Sequence, residues 1–177
     1  MVAGRTGRSS AVETMGQDLE RAGGPADGGG RSLVVQAWWD PDLALRGFDP
    51  RSAYVERFWL PLIGPSTLLL LRRFARGLEL RPAGFRVSLA ETARALGLGA
   101  GTGRQAPINR TVDRACTYGL ARRSGPDTLL VRTHLPPLTR RQVDRLPPLL
   151  QRSHHEARTR TGLRPLRREP PPGPAAA

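Results

Sequence analysis

Residues 88–133 read SLAETARALGLGAGTGRQAPINRTVDRACTYGLARRSGPDTLLVRT, and their reading decides the fold. Ser88 is an N-cap residue with Glu91 three places on, the spacing of a capping box, in which each side chain covers an orphan amide of the other residue. Leu89, Ala93 and Leu96 then recur at helical spacing, with Thr92 and Arg94 on other sides. Gly97 and Gly99 end this helix, because glycine takes positive φ without strain. A second helix is predicted from Pro107, since proline suits the first turn, where its missing N–H has no partner to lose. Ile108, Val112, Ala115 or Cys116, and Gly119-Leu120 form its inward stripe; Asn109, Arg110, Asp113, Arg114 and Thr117 form its outward one. Two strands follow, 120–123 and 128–133, joined by Ser124-Gly125-Pro126-Asp127, which is turn chemistry. Leu129 and Val131 alternate with Thr128, Leu130 and Arg132, which leaves either face of the hairpin open to burial.

The outward residues of the second helix are candidates for contact with DNA. Asparagine and arginine make paired hydrogen bonds to adenine and guanine edges in the major groove. Asn109, Arg110, Arg114 and Thr117 are therefore expected to face a groove, and Arg104, Arg122, Arg123 and Arg132 to bind the phosphate backbone. A solvated helix face and a charged, soluble hairpin carry the same residue types, and Asp113 repels phosphate.

The wider composition points the same way. The 177 residues carry 28 basic and 15 acidic side chains, a net charge of +13, and every basic residue is arginine. Together with the abundance of Ala, Gly and Pro, that skew is the mark of a high-GC genome, so arginine choice alone is weak testimony. The charge is uneven: residues 1–50 carry −2, 51–139 carry +9 and 140–177 carry +6. A basic domain attracts polyanions by releasing their counterions, with nucleic acid first and an anionic membrane surface second. Cys116 is the single cysteine, which excludes an internal disulfide, and reads as a buried small apolar residue rather than a reactive thiol. No apolar run is long enough to span a bilayer, and no hydrophobic segment follows the N-terminal arginines, so a soluble, cytoplasmic protein is expected.

Residues 1–30 are expected to be a disordered leader, with Met15 an alternative start to Met1. Residues 31–48 form a β-rich segment and linker. Within it SLVVQAWW (32–39), stopped by Asp40-Pro41, reads either as a strand added to the sheet or as an exposed segment that docks a partner. Asp49-Pro50 opens a helix that buries Tyr54, Val55, Phe58 and Trp59 and breaks at residues 60–65 (LPLIGP). A strongly apolar helix over 65–76 is central to the core, and residues 85–87 form a short strand. After the hairpin, Thr139 caps a short helix over 140–145 and another covers 148–158, able to pack on the core or to pair with a second copy. The tail from 159 is rich in Arg and Pro and is expected to be disordered.

Helix, helix, short strand, helix, helix, hairpin: this order, with the phrases SLAETARALGLG and RRSGPDTLLVR, resembles the winged helix-turn-helix family over residues 49–135. The chain has the general look of uncharacterised winged-helix proteins of high-GC bacteria, and WLPLIGPSTLLLL (59–71) is similar to the start of the winged helix in DnaD-like primosomal proteins. The resemblance implies a mainly α fold with a small β wing and a DNA-binding function. One departure loosens the placement of the two helices: residues 97–106 are longer and richer in glycine than the tight turn of a standard helix-turn-helix.

Catalytic patterns are not evident. His154 and His155 are adjacent and diverge by about 100° on a helix, a poor metal pair. Residues 101–106 (GTGRQA) match a GxGxxA turn in form, but a helix precedes them where a βαβ strand is required, and a lysine-free chain has no phosphate-loop lysine. The expectation is a non-enzymatic DNA-binding protein without cofactor or metal, a bacterial transcriptional regulator. The alternatives are a protein-interaction adaptor working through Asp113, the glycine linker and Trp38-Trp39, or a replication- or plasmid-associated factor.

Overall fold

The computed structural model describes residues 31–161. The expectations for the leader and for the tail beyond 161 lie outside these residues, as does the choice of start. The architecture is mixed α/β: a four-stranded sheet, order β2-β1-β4-β3, with helices on one face. The elements are β1 (Ser32–Ala37), α1 (Pro41–Arg46), a π-helical turn (Val55–Trp59) leading into α2 (Leu60–Ile63), α3 (Pro65–Leu80), β2 (Phe85–Ser88), α4 (Leu89–Ala95), α5 (Pro107–Thr117), β3 (Ala121–Arg123), β4 (Thr128–Val131), α6 (Arg140–Val143) and α7 (Pro148–Thr161).

The first six residues of the SLVVQAWW segment, Ser32–Ala37, are a strand, and it lies inside the sheet rather than at its edge. β1 pairs antiparallel with β2 (Leu33 opposite Val87) and parallel with β4 (Val35 opposite Leu129). Leu33, Val35, Leu129, Val131 and Ala121 turn into the core, where they meet Phe74, Leu70 and Leu71 of α3 and Ile108 and Val112 of α5. The hairpin's open question is thereby closed: Leu129 and Val131 are buried, and Leu130 is on the other face.

Several boundaries moved for physical reasons. Asp40-Pro41, read as a stop, starts a helix: the Asp40 carboxylate accepts the Leu43 amide and Pro41 occupies the first turn of α1. Asp49-Pro50, read as a helix start, forms a turn in which Asp49 Oδ1 accepts the Arg51 amide, and Ser52 Oγ accepts the Val55 amide at the real helix start. The helix does not break at Pro61. The wider π turn just before it, with the Leu60 amide bonded to Val55 O, absorbs the residue that has no N–H to give an α ladder. The chain turns at Gly64, inside the expected 60–65 break, where φ is +78°. α3 runs four residues past Arg76, and α7 carries the chain to Thr161, beyond the expected onset of disorder at 159.

α7 packs inward through Leu150, His154 and Ala157, leaving Leu149 exposed. His154 is buried and in edge contact with Phe58. Tyr54 Oη accepts the Leu138 amide at 3.0 Å and shares a hydrogen bond of 2.9 Å with His154 Nε2. No spacing in the sequence pairs this histidine with Tyr54, a hundred residues away.

Two outcomes follow. A Cβ on Gly77 would lie 2.3 Å from Cζ of Phe85. Helix propensity favours alanine there by about 1 kcal/mol, but overpacking costs about 1–3 kcal/mol. Gly77→Ala is expected to lower the urea midpoint; a raised midpoint would mean that the Phe85 ring gives way. Burial, with Arg158 and His155 adding to it, holds the His154 imidazole below its ordinary value of 6.5. The unfolded chain therefore takes up that proton first, so stability is full above the ordinary value and falls as pH drops through it toward the folded value. Denaturation midpoints measured between about pH 7 and pH 5 should fall, and His154→Gln should flatten that slope.

Candidate nucleic-acid interface

α4 and α5 are built much as their sequence demands. Ser88 Oγ accepts the Glu91 amide at 3.3 Å, one half of the capping box. Thr92 is buried, its hydroxyl bonded to Ser88 O. Gly97 and Gly99 have φ of +68° and +75°, as the end of α4 requires. α5 begins at Pro107 and buries Ile108, Val112 and Ala115; Cys116 is half-buried, and burial pushes its thiol up.

The eight residues expected at one surface divide into three groups. Arg110, Arg114 and Thr117 lie on α5 at spacings of four and three, are exposed, and form one stripe. Arg104 is exposed on the loop leading into α5. Neither Arg104, Arg110 nor Arg114 has a hydrogen bond or ion pair among the described residues. The Arg114 guanidinium runs beside Gly64, at the junction of α2 and α3. Asp113, the acid on this helix, is held by Arg123 Nη2 at 2.9 Å. Half-exposed pairs of this kind add little to stability, but this one cancels the charge that would repel a phosphate and ties β3 to α5.

Asn109 does not belong to the outward stripe. It is 4% exposed, and its Nδ2 donates to Thr102 O at 3.0 Å and to Gly103 O at 2.8 Å. The side chain is spent on fastening the glycine-rich connection to the helix behind it. This answers the looseness of residues 97–106: Leu98 packs against the core at one end of the connection, and the Asn109 amide holds Thr102 and Gly103 at the other.

Arg122 and Arg132 leave the α5 surface altogether. Successive residues of a strand point to opposite faces, so while Arg123 turns toward α5, Arg122 turns to the far side of the sheet, 4.6 Å from the centre of the Trp38 ring. Arg132 stacks on the same ring at 3.8 Å, donates through Nε to Gly119 O at 3.0 Å and through Nη1 to Asp40 Oδ2. Three restraints on one guanidinium make it a structural bolt rather than a free phosphate ligand. Burial works to raise the Asp40 carboxyl, but the Arg132 hydrogen bond and charge, with the Leu43 amide, outweigh it and hold the group below its ordinary value. Trp38 and Asp40 were not read from sequence as partners of these arginines. The signal was there only as an aromatic residue and an acid beside a predicted strand end.

Among the described residues there is no group of three His, Cys, Asp or Glu side chains able to hold a metal, and no helix is long and apolar enough to cross a membrane. Comparison with known proteins brings no match: no family model, curated protein or solved structure is similar to the chain.

Removing the Asn109 amide should free the connection. Asn109→Ala is expected to cost about 1–3 kcal/mol in thermal or chemical denaturation and to speed amide exchange across residues 99–106. A variant of unchanged stability would return Asn109 to the surface-reading role.

Proposed function

We propose that this chain is a non-enzymatic DNA-binding protein of the winged-helix type, a transcriptional regulator that presents α5 to duplex DNA. The observation that carries the reading is the exposed Arg110–Arg114–Thr117 stripe, whose neighbouring acid is already neutralised by Arg123. Arginines without protein partners gain most from phosphate or guanine contacts. In this reading α4 and α5 are the helix-turn-helix, β3 and β4 the wing, and β2 the strand before the first of the two helices. β1 is an addition, lying between the strands that the motif alone would pair. The net charge of +13 supplies the long-range attraction.

The adaptor reading retains one observation. Trp39 is 73% exposed at the end of β1 and stands beside α1. The other features invoked for it are engaged inside the chain: Asp113 by Arg123 and Trp38 by two arginines.

Titration of the full chain against a random-sequence duplex, followed by fluorescence anisotropy at several salt concentrations, tests the proposal. Arg110→Ala with Arg114→Ala should weaken binding by roughly tenfold or more and reduce the log–log salt slope by about two. Unchanged affinity and slope would remove α5 from the contact surface.

A further inference from the structure

The other face of the sheet carries a second surface. Val34 and Gln36 point away from the core along β1, and Trp38 continues their line one step past the strand. In register beside them stand Arg86 on β2, Leu130 on β4 and Arg122 on β3. None of Val34, Leu130 and Trp38 belongs to the hydrophobic core or packs against it. Gln36, Arg86 and Arg122 are exposed. The four strands contribute no carboxylate to this face, and the nearby Asp40 is already bound by Arg132.

A half-open apolar strip with an indole ring and a margin of arginines has a definite complement. It suits a partner that offers flat apolar rings at intervals and a negative charge beside each one. Single-stranded nucleic acid has both, whereas a duplex hides its base faces and needs an element that enters a groove. The two arginines on Trp38 are unequal. Arg132 is fastened by Gly119 O and Asp40, but Arg122 has no hydrogen bond or ion pair among the described residues. Arg122 can therefore leave the ring for a phosphate and open an indole face to a base. Arg86 gives a second cation across the strip, with Ser32 Oγ as its neighbour at 3.0 Å.

We propose that this outer face binds single-stranded DNA, with a base stacked on Trp38 in the place of Arg122 and phosphates held by Arg122 and Arg86. The choice of DNA over RNA rests on the duplex reading of α5, which makes DNA the nucleic acid this chain meets; the edge strand β3 borders both α5 and this face. The face itself does not depend on that reading.

The test uses the full chain, a labelled dT oligonucleotide and an oligo-U of equal length, roughly 15 nucleotides to span one site, with anisotropy as the readout. Arg122→Ala with Gln36→Glu changes only exposed side chains, and its unchanged melting temperature serves as the folding control. This variant should lose roughly tenfold or more in dT affinity while its duplex affinity stays as before, and Trp38→Phe should weaken dT binding in the same direction. Arg110→Ala with Arg114→Ala should leave dT binding intact. Absence of dT binding, binding indifferent to the sheet variants, binding lost through the α5 variants, or tighter binding of oligo-U would each overturn the proposal. Loss of the duplex reading alone would show as dT binding that follows the sheet variants while duplex binding ignores the α5 pair.

Discussion

β1 is hydrogen-bonded along both edges, antiparallel to β2 and parallel to β4, and its Leu33 and Val35 lie in the core. Withdrawal of this strand would leave two rows of unpaired backbone groups and open the floor on which α3 rests. α1, α2 and α3 all lie between β1 and β2 in the chain, so the sheet cannot be completed until the segment between the two strands has closed as a loop. The other end of the chain is bound in as well. Leu138 and Leu146 belong to the same core, Trp59 Nε1 donates to Pro136 O, and α7 is fastened through His154 to Tyr54. One core thus takes residues from both sides of the 49–135 segment, and the expected divisions on either side of it do not separate cores.

The Trp38, Arg132 and Asp40 cluster transmits that constraint. Asp40 caps α1 and binds Arg132, Arg132 reaches Gly119 just past the end of α5, and its guanidinium carbon lies over the ring of Trp38, next in line to β1. A planar fork of donors on an always-charged group is suited to such a joint, which lysine could not make. Other arginines in this lysine-free chain serve alike: Arg51 bridges Asp49 and Glu79, and Arg72 joins Pro50 O to Glu56. Net charge therefore overstates the basic surface on offer. The arginines that matter for a polyanion are those left over after internal use, and α5 holds two of them.

The sequence was most legible where a signal is local. Ser88, Pro107, Gly97 and Gly99 stand where capping and φ preference put them, and Thr139 with Gln142 forms a complete capping box. It was least legible where a side chain's partner is distant or lies in irregular backbone. Asn109 is about 60° from Val112 around the helix, so it borders the buried stripe. Its polarity argued for solvent, and nothing in the pattern announced two loop carbonyls beneath it. His154 meets Tyr54 a hundred residues upstream, a pairing that no spacing rule supplies. Asp-Pro occurs at both 40–41 and 49–50 with different outcomes: the Asp40 carboxylate accepts the Leu43 amide three places on and caps a helix, whereas the Asp49 carboxylate accepts the Arg51 amide two places on and closes a turn.

The arginine pair in the hairpin carries a wider lesson about reading charge. Arg122-Arg123 looks like one basic patch, and on a helix or loop it would be one. On a strand the period of two separates the guanidinium groups onto opposite faces, one beside Asp113 and the other over Trp38. β3 lies at the edge of the sheet with α5 packed beside it. The α5 stripe and the outer sheet face thus share one short edge strand, and the period of two keeps their arginines apart, so each surface can be altered without touching the other.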